Sequence, residues 1–489
     1  MSIRNLLLNP CWSAEELGQA LPDSPHAVSV ALPRWQDVIH YEEKEEKCMQ
    51  SLQSVYPRFG LNPLVDEIAK KAIELYEINN ASGWPYPNLL AAEEAKRHCQ
   101  RNSSGTVIIR EVLGLYCLLA DNEATPYAKA FWQHTGLGAS SRLAAIALNK
   151  EKAQSESKGE LAKSVICKRL GKIYNCHSGL IQLYPSGMAA LTTALAAIRK
   201  IRKGSAFLQL GFPYVDVLKL PQEIFGGSEL LTKINTETLA AKLDSHHPAA
   251  IILELPSNPM LQCIDLPTIS KLAHERGIPV IADDTIGSAI NIDPLPYADL
   301  IFSSLTKSFA GRGDIMAGSL LINPNSPWAN KFNTTINNVL ISRLSHADAI
   351  ELEKTSRDIK IRLPTLNLRC LSLKRKLETH PAVKEVFHPD ICPNFQKLMK
   401  PNAGHGCLLS FELAGGLEHA QKVYDALKVC KGPSFGTNFS LVSPYVLLAH
   451  YKELAWAEKY GIPPHLLRVS VGLEPEKILW ERFEQALSA

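Results

Sequence analysis

The sequence predicts an α/β fold: a large domain built on a buried, mostly parallel sheet, followed by a smaller C-terminal α/β domain. Three observations carry this. Short apolar runs, Ile251–Leu255, Ile278–Ala282 and Leu300–Leu305, alternate with a segment of helical period at Leu266, Ile269, Leu272 and Ala273. Polar residues, Ser257, Asn258, Asp283, Ser304, Thr306 and Lys307, gather just past the C-terminal ends of those runs, the edge where open parallel sheets bind ligands. The chain has 489 residues, enough for two domains and a large core.

Composition narrows the function. Lys+Arg 52 against Asp+Glu 49 is near balance, which favours neither nucleic acid nor an anionic membrane. No run approaches the ~18 apolar residues of a membrane span. MSIRNLLLNPCW has one basic residue and a three-leucine run, too short for a secretory signal. The 11 cysteines are scattered without CxxC, consistent with reduced thiols and a cytoplasmic protein. The 15 histidines contain no HExxH, and no metal site is expected.

In order along the chain, residues 1–55 read as an N-terminal arm. SAEELGQAL offers a Ser–Glu capping box for a short helix, HAVSVALPRW is extended, and YEEKEEKCMQSL is a charged, solvated helix. The large domain is expected over 56–333, opening with YPRFGLNP and interrupted by an inserted segment at about 64–165. The insert shows helical stretches at Asn88–Gln100, Tyr127–Trp132, Ser140–Leu148 and Glu160–Ile173, an apolar run at Thr106–Leu119, and a polar surface loop, NKEKAQSESKGE. PSGMAALTTALAAI reads as a tight turn opening a helix, and SAFLQL reads as a strand leading to Tyr214. Residues 334–489 form the C-terminal domain: connecting helices, strands at Gly406–Leu413 and Leu466–Leu473, and a last helix with Ile478, Leu479, Phe483 and Leu487.

The chemistry centres on Lys307. At a strand end beside a buried sheet a lysine loses hydration, which makes its neutral amine accessible. Such an amine forms a Schiff base with an aldehyde cofactor. Asp283 stands 24 positions earlier, at the end of another run. A lysine on the aldehyde and an acid on the pyridinium nitrogen are what pyridoxal 5′-phosphate (PLP) requires. Ser186 and Gly187 begin a helix, whose free N–H groups suit a phosphate, although an ordinary Ser N-cap explains the same residues. Ser304 and Thr306 can add hydroxyl donors. A tyrosine face such as that of Tyr214 can stack on a ring. Arg468 lies in an apolar strand, where a charge needs a partner; a substrate carboxylate or Glu474 would serve.

PSGMAA, FPYVDVLK, ELPSNP, ADDT, SSLTKS and LLRVSVGLEP fall in the order and approximate spacing of the Cys/Met-metabolism PLP enzymes. From about Ala27 to its C-terminus the chain resembles the cystathionine γ-synthase group, most closely its fungal-type branch. The resemblance implies the aspartate-aminotransferase-like fold (fold type I). It implies PLP bound by Tyr56, Arg58, Ser186, Gly187, Met188, Tyr214, Asp283, Ser304, Thr306 and Lys307, with Lys307, Tyr214 and Asp283 catalytic. It places the amino-acid substrate at Asn258, Ser434 and Arg468. It also implies a homodimer or homotetramer with shared active sites, in which Tyr56 and Arg58 reach the neighbouring subunit's phosphate. The implied reaction is γ-substitution on an activated homoserine ester with cysteine, giving cystathionine. Sulfide, methanethiol or carbon nucleophiles, γ-lyase activity, and an inactive PLP-binding regulatory partner are the alternatives. The chain departs from ordinary members in three places. About 127 residues separate Arg58 from Ser186; Val215, Asp216 and Lys219 replace a Gly-Gly-Thr and an arginine; GTNFS replaces a Gly-Gly-Val-Glu-Ser loop.

Overall fold

The computed structural model describes residues 4–77, 80–339 and 341–489. The large domain holds a seven-stranded sheet. Its spatial order is Ile181–Tyr184, Gly318–Ile322, Leu300–Ser304, Val280–Asp283, Ile251–Glu254, Phe207–Leu210 and Ser228–Leu231. Gly318–Ile322 pairs antiparallel with both neighbours; the five strands from Leu300–Ser304 onward are mutually parallel. The apolar runs are continuous because both faces are covered. Ile251, Leu253, Val280 and Ala282 enter the core on one face, and Ile252, Ile281 and Phe302 enter the core on the other. The sheet's carboxyl edge therefore delivers Tyr214, Asn258, Asp283 and Lys307 to one side of the molecule.

The C-terminal domain is a five-stranded sheet in the order Val383–Phe387, Leu408–Leu413, Leu467–Ser470, Leu441–Pro444, Cys430–Lys431. Helices Ile359–Glu378 and Glu476–Leu487 pack on it, the second through Leu479, Phe483 and Leu487. Ile478 of that helix is only half-buried. The arm joins the same core: Val30, Leu32, Trp35, Val38 and Tyr41 bury among Phe411, Tyr424 and Val469. Two bonds pin it there, Leu32 N–H to the Lys431 carbonyl at 2.9 Å and Trp35 N–H to Asp425 Oδ1 at 2.7 Å.

Several local expectations change. SAEELGQAL makes only one 3₁₀ turn, Ala14–Glu16, with Glu16 accepting from the N–H of Ser13 at 2.8 Å. The charged helix is two helices, Trp35–Glu43 and Glu46–Ser51, separated at Lys44 by a left-handed φ of 57°. The run Thr106–Leu119 is a hairpin of Val107–Val112 and Leu115–Ala120, because Leu113 and Gly114, with φ 53° and 79°, form a two-residue turn. Ser82–Tyr86 adds the third antiparallel strand. The polar loop is shorter than expected, since Ser155 caps a helix running Glu156–Tyr174. Among the described residues no helix is long and apolar enough to cross a membrane.

Candidate active site

Strand Leu300–Ser304 ends in a tight turn, with Lys307 N–H bonded to the Ser304 carbonyl at 3.2 Å. The turn aims a buried amine into a cavity. Lys307 Nζ donates to Ser434 Oγ at 2.9 Å and to Tyr56 Oη at 3.1 Å. The rings of Tyr56 and Phe435 flank it, each with its centroid 4.9 Å away. Ser434 holds a φ of 87°, a strained conformation for serine, so its hydroxyl is placed at a conformational cost. Burial pushes the Tyr56 phenol up, but the charge of Lys307 beside it prevails and brings its pKa below the ordinary tyrosine value.

Asp283 ends the neighbouring strand and is fully enclosed. Its Oδ1 accepts both the hydroxyl of Thr285, at 2.5 Å, and the Thr285 N–H, at 2.9 Å. Burial outweighs these bonds, and the nearby Asp284 adds to it, so the carboxyl is raised to about 7. A cationic ring nitrogen placed against Asp283 would reverse this. Glu254, at the end of the adjacent strand, accepts from the Tyr214 N–H at 3.0 Å and is likewise pushed up, by burial and by Asp283.

The helix Gly187–Ile201 opens at the far wall. Ser186 is its N-cap: the hydroxyl accepts from the Ala189 N–H and donates to the Gly136 carbonyl, both at 3.0 Å. Thr306 is similarly occupied, donating to the Ala317 carbonyl at 3.3 Å and accepting from its N–H at 3.1 Å. The anion donors this wall offers are therefore the N–H groups of Gly187 and Met188, which lie outside the helical ladder, and the Ser304 hydroxyl. A Cβ on Gly187 would lie 2.9 Å from Ser304 Cβ, so only glycine lets the helix end meet the strand end. A phosphate cradle, an enclosed carboxyl, a tyrosine ring and a buried amine are what PLP needs, and they converge here.

Arg468, on strand Leu467–Ser470, closes the opposite end. It donates to Asn258 Oδ1 at 3.1 Å and to the Ser434 carbonyl at 2.8 Å, and its guanidinium lies over the Tyr445 ring at 4.5 Å. Glu474 is not its partner: that carboxylate accepts the N–H of Ser440 at 2.7 Å and its hydroxyl at 2.8 Å.

The residues that the sequence reading assigns to cofactor and substrate line this one cavity; Ser257 does not. The resemblance puts Tyr56 and Arg58 in a neighbouring subunit's site; in the structure of the single chain both line the cavity of their own chain. Tyr56 meets Lys307, and Arg58 Nε lies 3.4 Å from Asp216 Oδ1. The reason is the arm, which packs into the C-terminal core and brings residues 56–62 back over the sheet edge. Arg58 is locked there by the carbonyls of Leu448 and Ala449, each at 3.2 Å. The sequence reading missed Glu254, Phe435 and Tyr445 as wall residues, and His134, which stands behind the wall against Asp216. Glu254 carried the same strand-end signal as Asp283; His134, inside the insert, carried none.

Comparison with known proteins agrees with this geometry. Residues 140–488 match the family model described as Cys/Met metabolism PLP-dependent enzyme, and residues 64–140 match the fungal trans-sulfuration enzyme N-terminal domain. Cystathionine gamma-synthase of Neurospora crassa is 29% identical, over 96% of this chain and 98% of its own. L-2-amino-4-chloropent-4-enoate dechlorinase/desaturase of Streptantibioticus cattleyicolor is 30% identical, over 95% of this chain and 97% of its own. The crystal structure of cystathionine gamma synthase from Xanthomonas oryzae pv. oryzae superposes with a TM-score of 0.60 at 24% identity, covering 70% of this chain and 88% of that one. That likeness shows the shared fold, the PLP-dependent fold type I.

Proposed function

The chain belongs to the Cys/Met-metabolism family of PLP-dependent enzymes, and from that premise we propose that it catalyses γ-replacement on an activated homoserine ester with a thiol, cysteine in the first instance. The observation that carries this is the setting of Lys307. Its amine stands between two hydroxyls from distant parts of the chain, with Asp283 and Arg468 lining the same cavity.

Bound PLP supplies an electron sink that makes the substrate's Cα and Cβ protons removable. The residues do the rest. Arg468, fixed by Asn258 and the Ser434 carbonyl, binds the substrate α-carboxylate and so sets which bond faces Lys307. Lys307 Nζ takes the proton from Cα, passes it on and, as a neutral amine again, takes one from Cβ, which lets the γ-acyloxy group leave with its bonding electrons. Tyr56 Oη, within reach of Nζ, passes protons to and from the amine as the nucleophile adds at Cγ. Asp283, held by Thr285, keeps the ring nitrogen protonated. The aromatic wall of Phe435, Tyr445 and Tyr214 excludes water from the reacting carbons.

A second reading is elimination at Cγ without replacement. It is supported by the relative named a dechlorinase/desaturase and by the replaced GTNFS loop. Purified holoprotein incubated with acetyl-, succinyl- and phospho-homoserine, with and without cysteine, distinguishes the two. Cystathionine formed only with cysteine supports replacement. Ammonia and 2-oxobutanoate formed at equal rates with and without thiol would replace it by the lyase reading.

A further inference from the structure

We propose that His134, carried by the inserted segment, is a positioning residue of this active site: through Asp216 it fixes the Tyr214 hydroxyl and the Arg58 guanidinium at the cavity wall. The proposal rests on reading the cavity as the active site, and not on which nucleophile it uses.

Asp216 lies in the first turn of helix Val215–Ile224 and is only 2% exposed. A carboxylate so enclosed needs charged or hydrogen-bonding partners on both oxygens. Its Oδ2 accepts the Tyr214 hydroxyl at 2.8 Å. Its Oδ1 faces His134 Nδ1 at 3.1 Å and Arg58 Nε at 3.4 Å. The remaining cation on its own helix, Lys219, is held by Glu453 at 2.6 Å. Burial pushes the Asp216 carboxyl up, but Arg58 and His134 prevail and hold it below the ordinary carboxylate value. Without His134, Oδ1 would keep only the looser ion pair with Arg58, and the Tyr214 hydroxyl would be the one close partner of the carboxylate.

The insert is built to deliver this histidine. Helix Thr125–Thr135 buries Phe131 and Trp132 in the large-domain core and ends at Gly136, whose φ is 63°. The Gly136 carbonyl accepts the Ser186 hydroxyl, and the Thr135 carbonyl accepts Thr192 Oγ1 at 3.1 Å. The last turn of the helix is thus clamped to the start of helix Gly187–Ile201 on one side and to Asp216 on the other. The Tyr214 hydroxyl is thus held by one oxygen of the Asp216 carboxylate while His134 meets the other.

The test uses holoprotein of wild type, His134→Leu, His134→Asn and Asp216→Asn, with His134→Leu also made in a Tyr214→Phe background. An Asn amide nitrogen stands near the place of histidine Nδ1 and can donate the same bond. Two quantities are read: exchange of the substrate α proton into deuterated water, and the visible circular dichroism of the bound cofactor, which reports the ring packed against it. His134→Leu is expected to lower the exchange kcat roughly tenfold or more, with KM within about threefold, and to weaken the dichroic band. Asp216→Asn should do at least as much, and His134→Asn should restore most of both. In the Tyr214→Phe background, His134→Leu should cost clearly less, the remainder being what passes through Arg58. Exchange and dichroism unchanged in His134→Leu would overturn the proposal. So would equal losses in both backgrounds, which would mean a packing role. A wild type that exchanges no proton would instead overturn the active-site reading, and the dichroism would still decide on His134.

Discussion

Tyr56 Oη and Lys307 Nζ lie 3.1 Å apart although 251 positions separate them in the chain, and both belong to one chain. The contact makes a direct prediction about subunits. Tyr56→Phe and Lys307→Ala proteins are each expected to be impaired, the first by roughly 10²-fold as a lost proton-transfer partner. Mixed under conditions of subunit exchange, they should recover nothing, because every site still carries one defect. Native mass spectrometry establishes the exchange, or a monomeric state. Recovery towards about a quarter of wild type, the share of intact sites under random pairing, would place Tyr56 in its partner's site.

Ser434 separates strain from chemistry. Its φ of 87° suits glycine, while its hydroxyl meets Lys307 at 2.9 Å. Ser434→Gly and Ser434→Ala both remove the hydroxyl and should lower kcat/KM alike. The glycine variant should be the more stable by about 1–2 kcal/mol in denaturant titration. Equal stabilities would show that the backbone there stores no strain.

Asp283 predicts a pH signature in cofactor-free protein. Its folded value, about 7, lies above the ordinary carboxyl value of 3.8. The fold therefore holds this proton more tightly than the unfolded chain does. Its contribution is fully present at low pH and is lost as pH rises from about 4 to about 7. Relative to Asp283→Asn, wild type should lose on the order of 4 kcal/mol across that window and level off above it. Asp284 and Glu254 are present in both proteins, so the comparison reads Asp283 together with its influence on Glu254. With cofactor bound the decline should vanish, because a cationic ring nitrogen favours the carboxylate. Parallel curves for the two cofactor-free proteins would refute the assignment.

Gly136 tests the cradle. A Cβ there would fall 2.2 Å from Ser186 Oγ, on a residue with φ 63°. Gly136→Ala should displace the turn that opens helix Gly187–Ile201, at a cost of about 1–3 kcal/mol. Equilibrium dialysis should show weaker PLP binding, and thermal denaturation a lower Tm. A lower Tm with unchanged PLP affinity would dissociate the insert from the phosphate turn.

The correct and incorrect parts of the sequence reading have different physical origins. Strands Ile251–Glu254, Val280–Asp283 and Leu300–Ser304 were legible because a strand buried on both faces must be apolar throughout. Lys307 and Asp283 were legible because a polar residue ending such a strand has few places to go. The insert was harder. Its hairpin read as one apolar run because Leu113-Gly114 is a weak turn signal, and its long helix starts within a polar stretch because Ser155 supplies a cap.

By itself, the sequence determined the α/β class, the sheet's carboxyl edge and the polar residues Asp283 and Lys307 at it, since periodicity and strand ends are local properties written residue by residue. Tertiary structure alone decided which hydroxyls meet Lys307, that Tyr56 and Arg58 line the cavity of their own chain, and that His134 reaches Asp216 across 82 positions. Those contacts depend on how the arm and the insert pack against the sheet, through buried surfaces whose partners lie far away in the chain, and no local pattern encodes them.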